Sequence, residues 1–112
     1  MPSEVVWSQA AVDDLESIWE WIAAEHGEVA SAERTVTAIL DRVDEAAAFP
    51  LATTSLDSRC RIHSNWRFVE CRGYLAFVRV GRDRVYVDRV LSGKSDYLRK
   101  LFGVDDGTTY YV

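Results

Sequence analysis

The chain has 112 residues, 48% of them hydrophobic and 12% aromatic, enough apolar material for one packed core but not two, which excludes a disordered chain. No apolar run approaches the roughly 18 to 20 residues that span a bilayer, and the start lacks a basic-then-apolar signal pattern, so a cytoplasmic protein with no membrane contact is expected. The net charge of −5 is unevenly spread: residues 1–50 carry two cations against eleven acids, residues 51–112 eleven cations against seven acids.

That asymmetry describes a basic half mounted on an acidic one. The acidic total counts against broad nucleic-acid binding, while the basic half can still meet an anionic partner. Cys60 and Cys71 form no CxxC pair, and no His/Cys cluster has metal-ligand spacing. Structural thiols, no metal and no cofactor are therefore expected.

In chain order, Val5, Val6 and Trp7 suit a short first strand, with Ser8 as the cap of a following helix and Asp13, Asp14 and Glu16 crowding its start. Ala11, Leu15, Ile18 and Ile22 recur at helical spacing, flanked by Val12 and Trp19, and Gly27 ends the helix. Val29, Ala32, Val36, Ile39, Leu40, Val43, Ala46 and Ala47 fall in one arc of a second helix, which Pro50 stops. The polar stretch 51–58 is expected to be a loop. β-forming runs at 66–71, 74–80 and 84–91 are separated by Arg72-Gly73 and by Gly81-Arg82-Asp83, the pattern of an antiparallel three-stranded meander. A loop at 92–96 precedes a short segment, 97–102, suited to a helix. Residues 104–112 form an extra tail, either an edge strand or a mobile end.

Strand, helix, helix and three strands together define an α+β fold: a helical hairpin packed on one face of an antiparallel sheet, in one domain covering 1–112. The opposite sheet face is expected to stand open, as a surface for a partner or substrate.

The opening Trp7-Ser8, Ala11, Asp14-Leu15 and Ile18, the Tyr74-Leu75-Ala76-Phe77 strand, and the stretch from Val85 through Arg89-Val90-Leu91-Ser92-Gly93 to Asp96-Tyr97 resemble the RelE/ParE superfamily over roughly residues 5 to 103. The resemblance implies the toxin of a bacterial type II toxin–antitoxin system, of the plasmid-stabilisation type. Such a toxin is held inactive by a cognate antitoxin that wraps it as an extended segment. It also implies one of two targets: ParE-like members inhibit DNA gyrase, and RelE-like members cut messenger RNA in the ribosome. Ser92 stands where many ParE-like members carry histidine, and Val78 where an aromatic is common.

Metal-free RNA cleavage needs an activated 2′-hydroxyl, a stabilised phosphorane and a protonated leaving oxygen. If the chain is a nuclease, the residues that match that scheme are Arg61, Arg89 and Tyr97, with Arg59 beside Arg61. Arginine offers two phosphate oxygens a planar fork, and tyrosine needs nearby cations to become a base. Each has a structural alternative. Alternation from Val85 and Val87 puts Arg89 on the helix side, paired to a helix acid, unless a bulge turns it outward. Tyr97 can instead pack over the sheet end, and Arg59 and Arg61 can form a solvated basic edge. His63 reads as an exposed loop histidine, His26 as a cation at a helix C-terminus, and Trp66 as the tryptophan to watch at the strand start.

Only Lys94 and Lys100 supply lysine, and ribosome-entering nucleases sit among RNA phosphates, so the balance favours gyrase inhibition. The alternatives are a ribosome-dependent endoribonuclease and a non-toxic partner-binding module. Assembly as a homodimer or as a toxin–antitoxin hetero-oligomer stays open at this level.

Overall fold

The computed structural model describes residues 4–58 and 65–102. The expected tail at 104–112, and Arg59, Cys60, Arg61 and His63, lie outside the described residues. The first strand, β1 (Glu4–Trp7), leads directly into helix α1 (Gln9–His26). Between them Ser8 takes extended angles, and its Oγ accepts the Ala11 N–H at 3.0 Å. That satisfies one of the free amides of the first turn. The same hydroxyl donates to the Asp88 carbonyl at 2.8 Å, so the cap also fastens helix to sheet. Gly27, at φ 64°, takes the left-handed conformation that ends α1 without a Cβ clash. α1 buries Ala11, Ile18 and Ile22, with Leu15 and Trp19 packed beside them, which is the expected stripe. Its acids do not occupy the first turn. Asp13 accepts the Gln9 amide, and Asp14 reaches the sheet.

Helix α2 (Val29–Ala48) buries Ala32, Thr35, Ile39, Val43, Ala46 and Ala47. Val29 and Leu40, assigned to the same apolar arc by periodicity, are 52% and 37% exposed. The arc is wider than the strip that α1 and the sheet cover, so its flank stays in solvent.

The stretch expected as a loop is more ordered than its composition suggests. Two 3-10 turns, Pro50–Ala52 and Leu56–Ser58, bracket a two-residue strand, β2 (Thr54–Ser55), paired antiparallel with β3 (Arg67–Cys71). The order is tertiary in origin. Leu56 is fully buried, and the Arg67 guanidinium donates to the Thr53 carbonyl at 2.7 Å.

β3, β4 (Tyr74–Val80) and β5 (Arg84–Ser92) form the expected antiparallel meander. Arg72 and Gly73 turn β3 into β4 with φ values of 52° and 85°, the positive pair that a tight hairpin turn demands. The complete sheet runs β1-β5-β4-β3-β2, and β1 pairs with β5 in parallel, Val5 opposite Val85. The sheet is therefore mixed rather than antiparallel throughout. The helical hairpin carries the chain from one edge to the other, and the odd number of strands in the meander brings β5 back alongside β1 in the same direction.

Val69, Ala76, Val78, Val85, Val87 and Val90 face the two helices in one core. The opposite face is not open along its length, contrary to the expectation. Phe68, Leu75, Phe77 and Leu91 form a second core there with Leu56, closed by Trp66 and by Tyr97 and Leu101 of helix α3 (Tyr97–Phe102). Leaving these side chains in water would forfeit about 2 kcal/mol each, which is reason enough for the chain to fold back over them. A register shift in β5 makes the two cores compatible. Val78 pairs with Val87 but Phe77 with Arg89, so Asp88 is the extra residue of a bulge. Beyond it Val90 rather than Arg89 continues the helix-facing row, and Leu91 joins the second core.

Candidate functional site

Arg89 sits opposite Phe77, just past the bulge and beyond the last residue of β5 that pairs with β1. Its Nε and Nη2 donate to the two oxygens of Asp14 at 2.8 and 2.9 Å. One of those oxygens also accepts the Val90 N–H at 2.9 Å, replacing the strand partner that β1 no longer supplies. The side-chain bond to Asp14 raises the Arg89 pKa, outweighing the lowering effect of its partial burial. The fork that would hold a phosphate is filled by a carboxylate of the chain's own helix.

Tyr97 opens α3, and its ring packs 5.6 Å from that of Phe77 in the second core. The structure thus directs the Arg89 side chain to α1 and the Tyr97 ring to the opposite face of the sheet. Arg61, the third residue of the nuclease scheme, lies outside the described residues. Trp66 is engaged as well: its Nε1 donates to Asp88 at 2.6 Å while its ring borders the second core. Asp88 also takes a two-pronged bond from Arg79, at 2.5 and 3.0 Å, and the Arg79 guanidinium lies 5.1 Å from the centre of the Tyr86 ring. The Asp88 bond raises the Arg79 pKa. This cluster satisfies its own charges.

A different kind of place lies where the two helices meet the β3–β4 turn. A groove of about 340 Å³ is lined by Trp21, Ile22, His26, Ser31, Arg34, Thr35, Arg72 and Tyr74. Trp21 is 59% exposed. Partial burial raises the Tyr74 pKa, so its hydroxyl stays neutral. Trp21 and Tyr74 also border a neighbouring depression that reaches Ser92 and Lys100. Sequence patterning missed this groove because its cations come from α2 and from a turn 38 positions later. The available signal was Arg72 itself, at a turn position that usually takes asparagine, aspartate or glycine.

Among the described residues there is no group of three or more histidine, cysteine, aspartate or glutamate side chains placed to hold a metal ion. No helix among them is long and apolar enough to cross a membrane. A helical hairpin on a mixed five-stranded sheet, with its most conspicuous arginine committed to a structural ion pair, fits the scaffold of the small α+β toxins. Residues 5–97 match the model of the ParE toxin of the type II toxin–antitoxin system parDE, and the chain belongs to that family. It is accordingly a toxin of a type II toxin–antitoxin system, within the RelE/ParE superfamily. Its fold is also similar to a solved chain from the "Chromosomal ParDE TA system from P. aeruginosa", with a TM-score of 0.67 at 17% identity, covering 81% of this chain and 96% of that one. No curated protein matches the sequence.

Proposed function

We propose that this toxin acts in the cytoplasm by binding and inhibiting DNA gyrase, without catalysing RNA cleavage, and that a cognate antitoxin neutralises it. The observation that carries this reading is the Arg89–Asp14 pair. A nuclease needs its arginine free for the developing charge on phosphorus, and here both arms of the fork already hold a carboxylate. The placement of the Tyr97 ring against Phe77 supports the same conclusion. Inhibition by protein contact asks for no free acid–base pair, and it suits a chain with net charge −5 better than entry among ribosomal RNA phosphates does.

The test is a supercoiling assay on relaxed plasmid with purified gyrase and the purified toxin. Inhibition at about micromolar toxin is expected, a range typical of specific protein contacts. Primer extension on messages from cells expressing the toxin supplies the contrast. Cuts inside translated codons that vanish in Arg89→Ala, with gyrase untouched, would replace this reading with the RelE-like one.

A further inference from the structure

The groove between the helical hairpin and the β3–β4 turn brings together two arginines from distant parts of the chain. Residues 1–50 hold only two cations, and one of them, Arg34, lines this groove. The fold brings Arg72 to it from the sheet, and no carboxylate is among the lining residues. Elsewhere Arg42, Arg79, Arg84, Arg89 and Arg99 each pair with an acid, and Arg67 is held by Thr53. Arg34 and Arg72 pair with none among the described residues; they reach only hydroxyls, Ser31 at 3.2 Å and Thr35 at 3.4 Å.

The backbone supplies an independent observation. Arg72 is the only non-glycine with positive φ among the described residues. A side chain with a Cβ is disfavoured in that conformation, and unfavourable backbone geometry of this kind collects where a side chain is needed for a task. The guanidinium is held over the groove at the expense of an easier turn. Beside it the exposed Trp21 offers an apolar wall.

We propose that this groove seats an acidic segment of the antitoxin, with a carboxylate between Arg34 and Arg72 and an adjacent apolar side chain against Trp21. The proposal rests on the toxin–antitoxin reading and adds the chemistry of the seat. A polypeptide fits better than a nucleic acid. Arg34 and Arg72 also border an adjoining depression that carries Glu33 and Asp41; those acids repel a continuous phosphate backbone running past the pair, whereas a spaced carboxylate can meet the cations from the groove side alone.

The probe is the protein encoded by the reading frame adjacent to the toxin gene, purified as a full chain and titrated calorimetrically against the full-length toxin. Arg34→Glu combined with Arg72→Glu should weaken binding by on the order of a hundredfold, the scale of reversing two closely engaged charges. Trp21→Ala should weaken it by about tenfold, as loss of an aromatic anchor does. Arg82→Glu, at the opposite end of β4, is the matched control and should change little. Arg72→Asn keeps a turn residue suited to positive φ, so its melting temperature should not fall while its affinity does; that separates recognition from folding.

Double-reversal affinity within about twofold of wild type would overturn the proposal and leave the toxin–antitoxin reading intact. Failure of the wild-type chain to bind the adjacent-frame protein at all would overturn both. A 30-base-pair DNA duplex or a ribosomal RNA fragment that binds more tightly than the protein, and depends on the same two arginines, would overturn the acidic-segment proposal in favour of nucleic acid.

Discussion

Asp14 serves three donors with two oxygens: both arms of the Arg89 guanidinium and the Val90 amide. At 14% and 29% side-chain exposure the pair is sheltered, so removing either partner strands the other in a poorly hydrated place. Asp14→Ala and Arg89→Ala should each cost about 2 kcal/mol in urea unfolding, with a coupling of about 1 to 2 kcal/mol in the double-mutant cycle. A coupling near zero would mean that the ion pair contributes no stability. The raised Arg89 pKa sets the sign of any alkaline effect. Its contribution is present below the pKa of an unfolded arginine and lost only as pH rises through the still higher folded value, so neutral pH leaves it untouched. Alternation alone anticipated an acid from the helices beside Arg89. It did not anticipate the route, because a bulge at Asp88 changes the row to which Arg89 would otherwise belong. Arg34 and Arg72 were not legible together, since their proximity is created by tertiary folding and by no local period.

Elements with strong local signals were readable, and those held by distant partners were not. α1, α2 and the meander carry their own periods, caps and turn residues, with Ser8, Gly27 and Arg72-Gly73 marking boundaries. β2 has no such signal; its two residues become a strand because β3 offers an edge and Leu56 a hole to fill. The covered second face was missed for the same reason: among the described side chains of α3, Tyr97 and Leu101 join that core, too few positions to show a pattern in sequence. Ser8 is the element-level joint to test. It caps α1 and also holds the Asp88 carbonyl at the bulge, so Ser8→Ala should lower stability by about 1 to 2 kcal/mol, at the upper end for a helix cap. Ser8→Thr keeps the hydroxyl and should recover most of that loss. Thermal and urea melts of the two variants decide between a cap that also anchors and a cap alone.

At the scale of the molecule, one sheet separates two unequal cores, and the acidic first half forms most of the helical layer. The order of strands was half legible. Adjacent antiparallel strands announce themselves by short turns, whereas the parallel contact of β1 with β5 joins segments about 80 residues apart and leaves no trace in any window of sequence. That contact also has a consequence in time. Among the described residues β1 has its hydrogen-bonded partner only in β5, and Ser8, which caps α1, is fastened to the sheet at Val87 and Asp88 of the same strand. A chain ending at residue 80 should therefore be extensively unfolded by circular dichroism and quickly degraded by protease, while the full chain resists both. The same dependence predicts that a nascent polypeptide cannot complete this sheet until β5, which joins β1 to the meander, has left the ribosome.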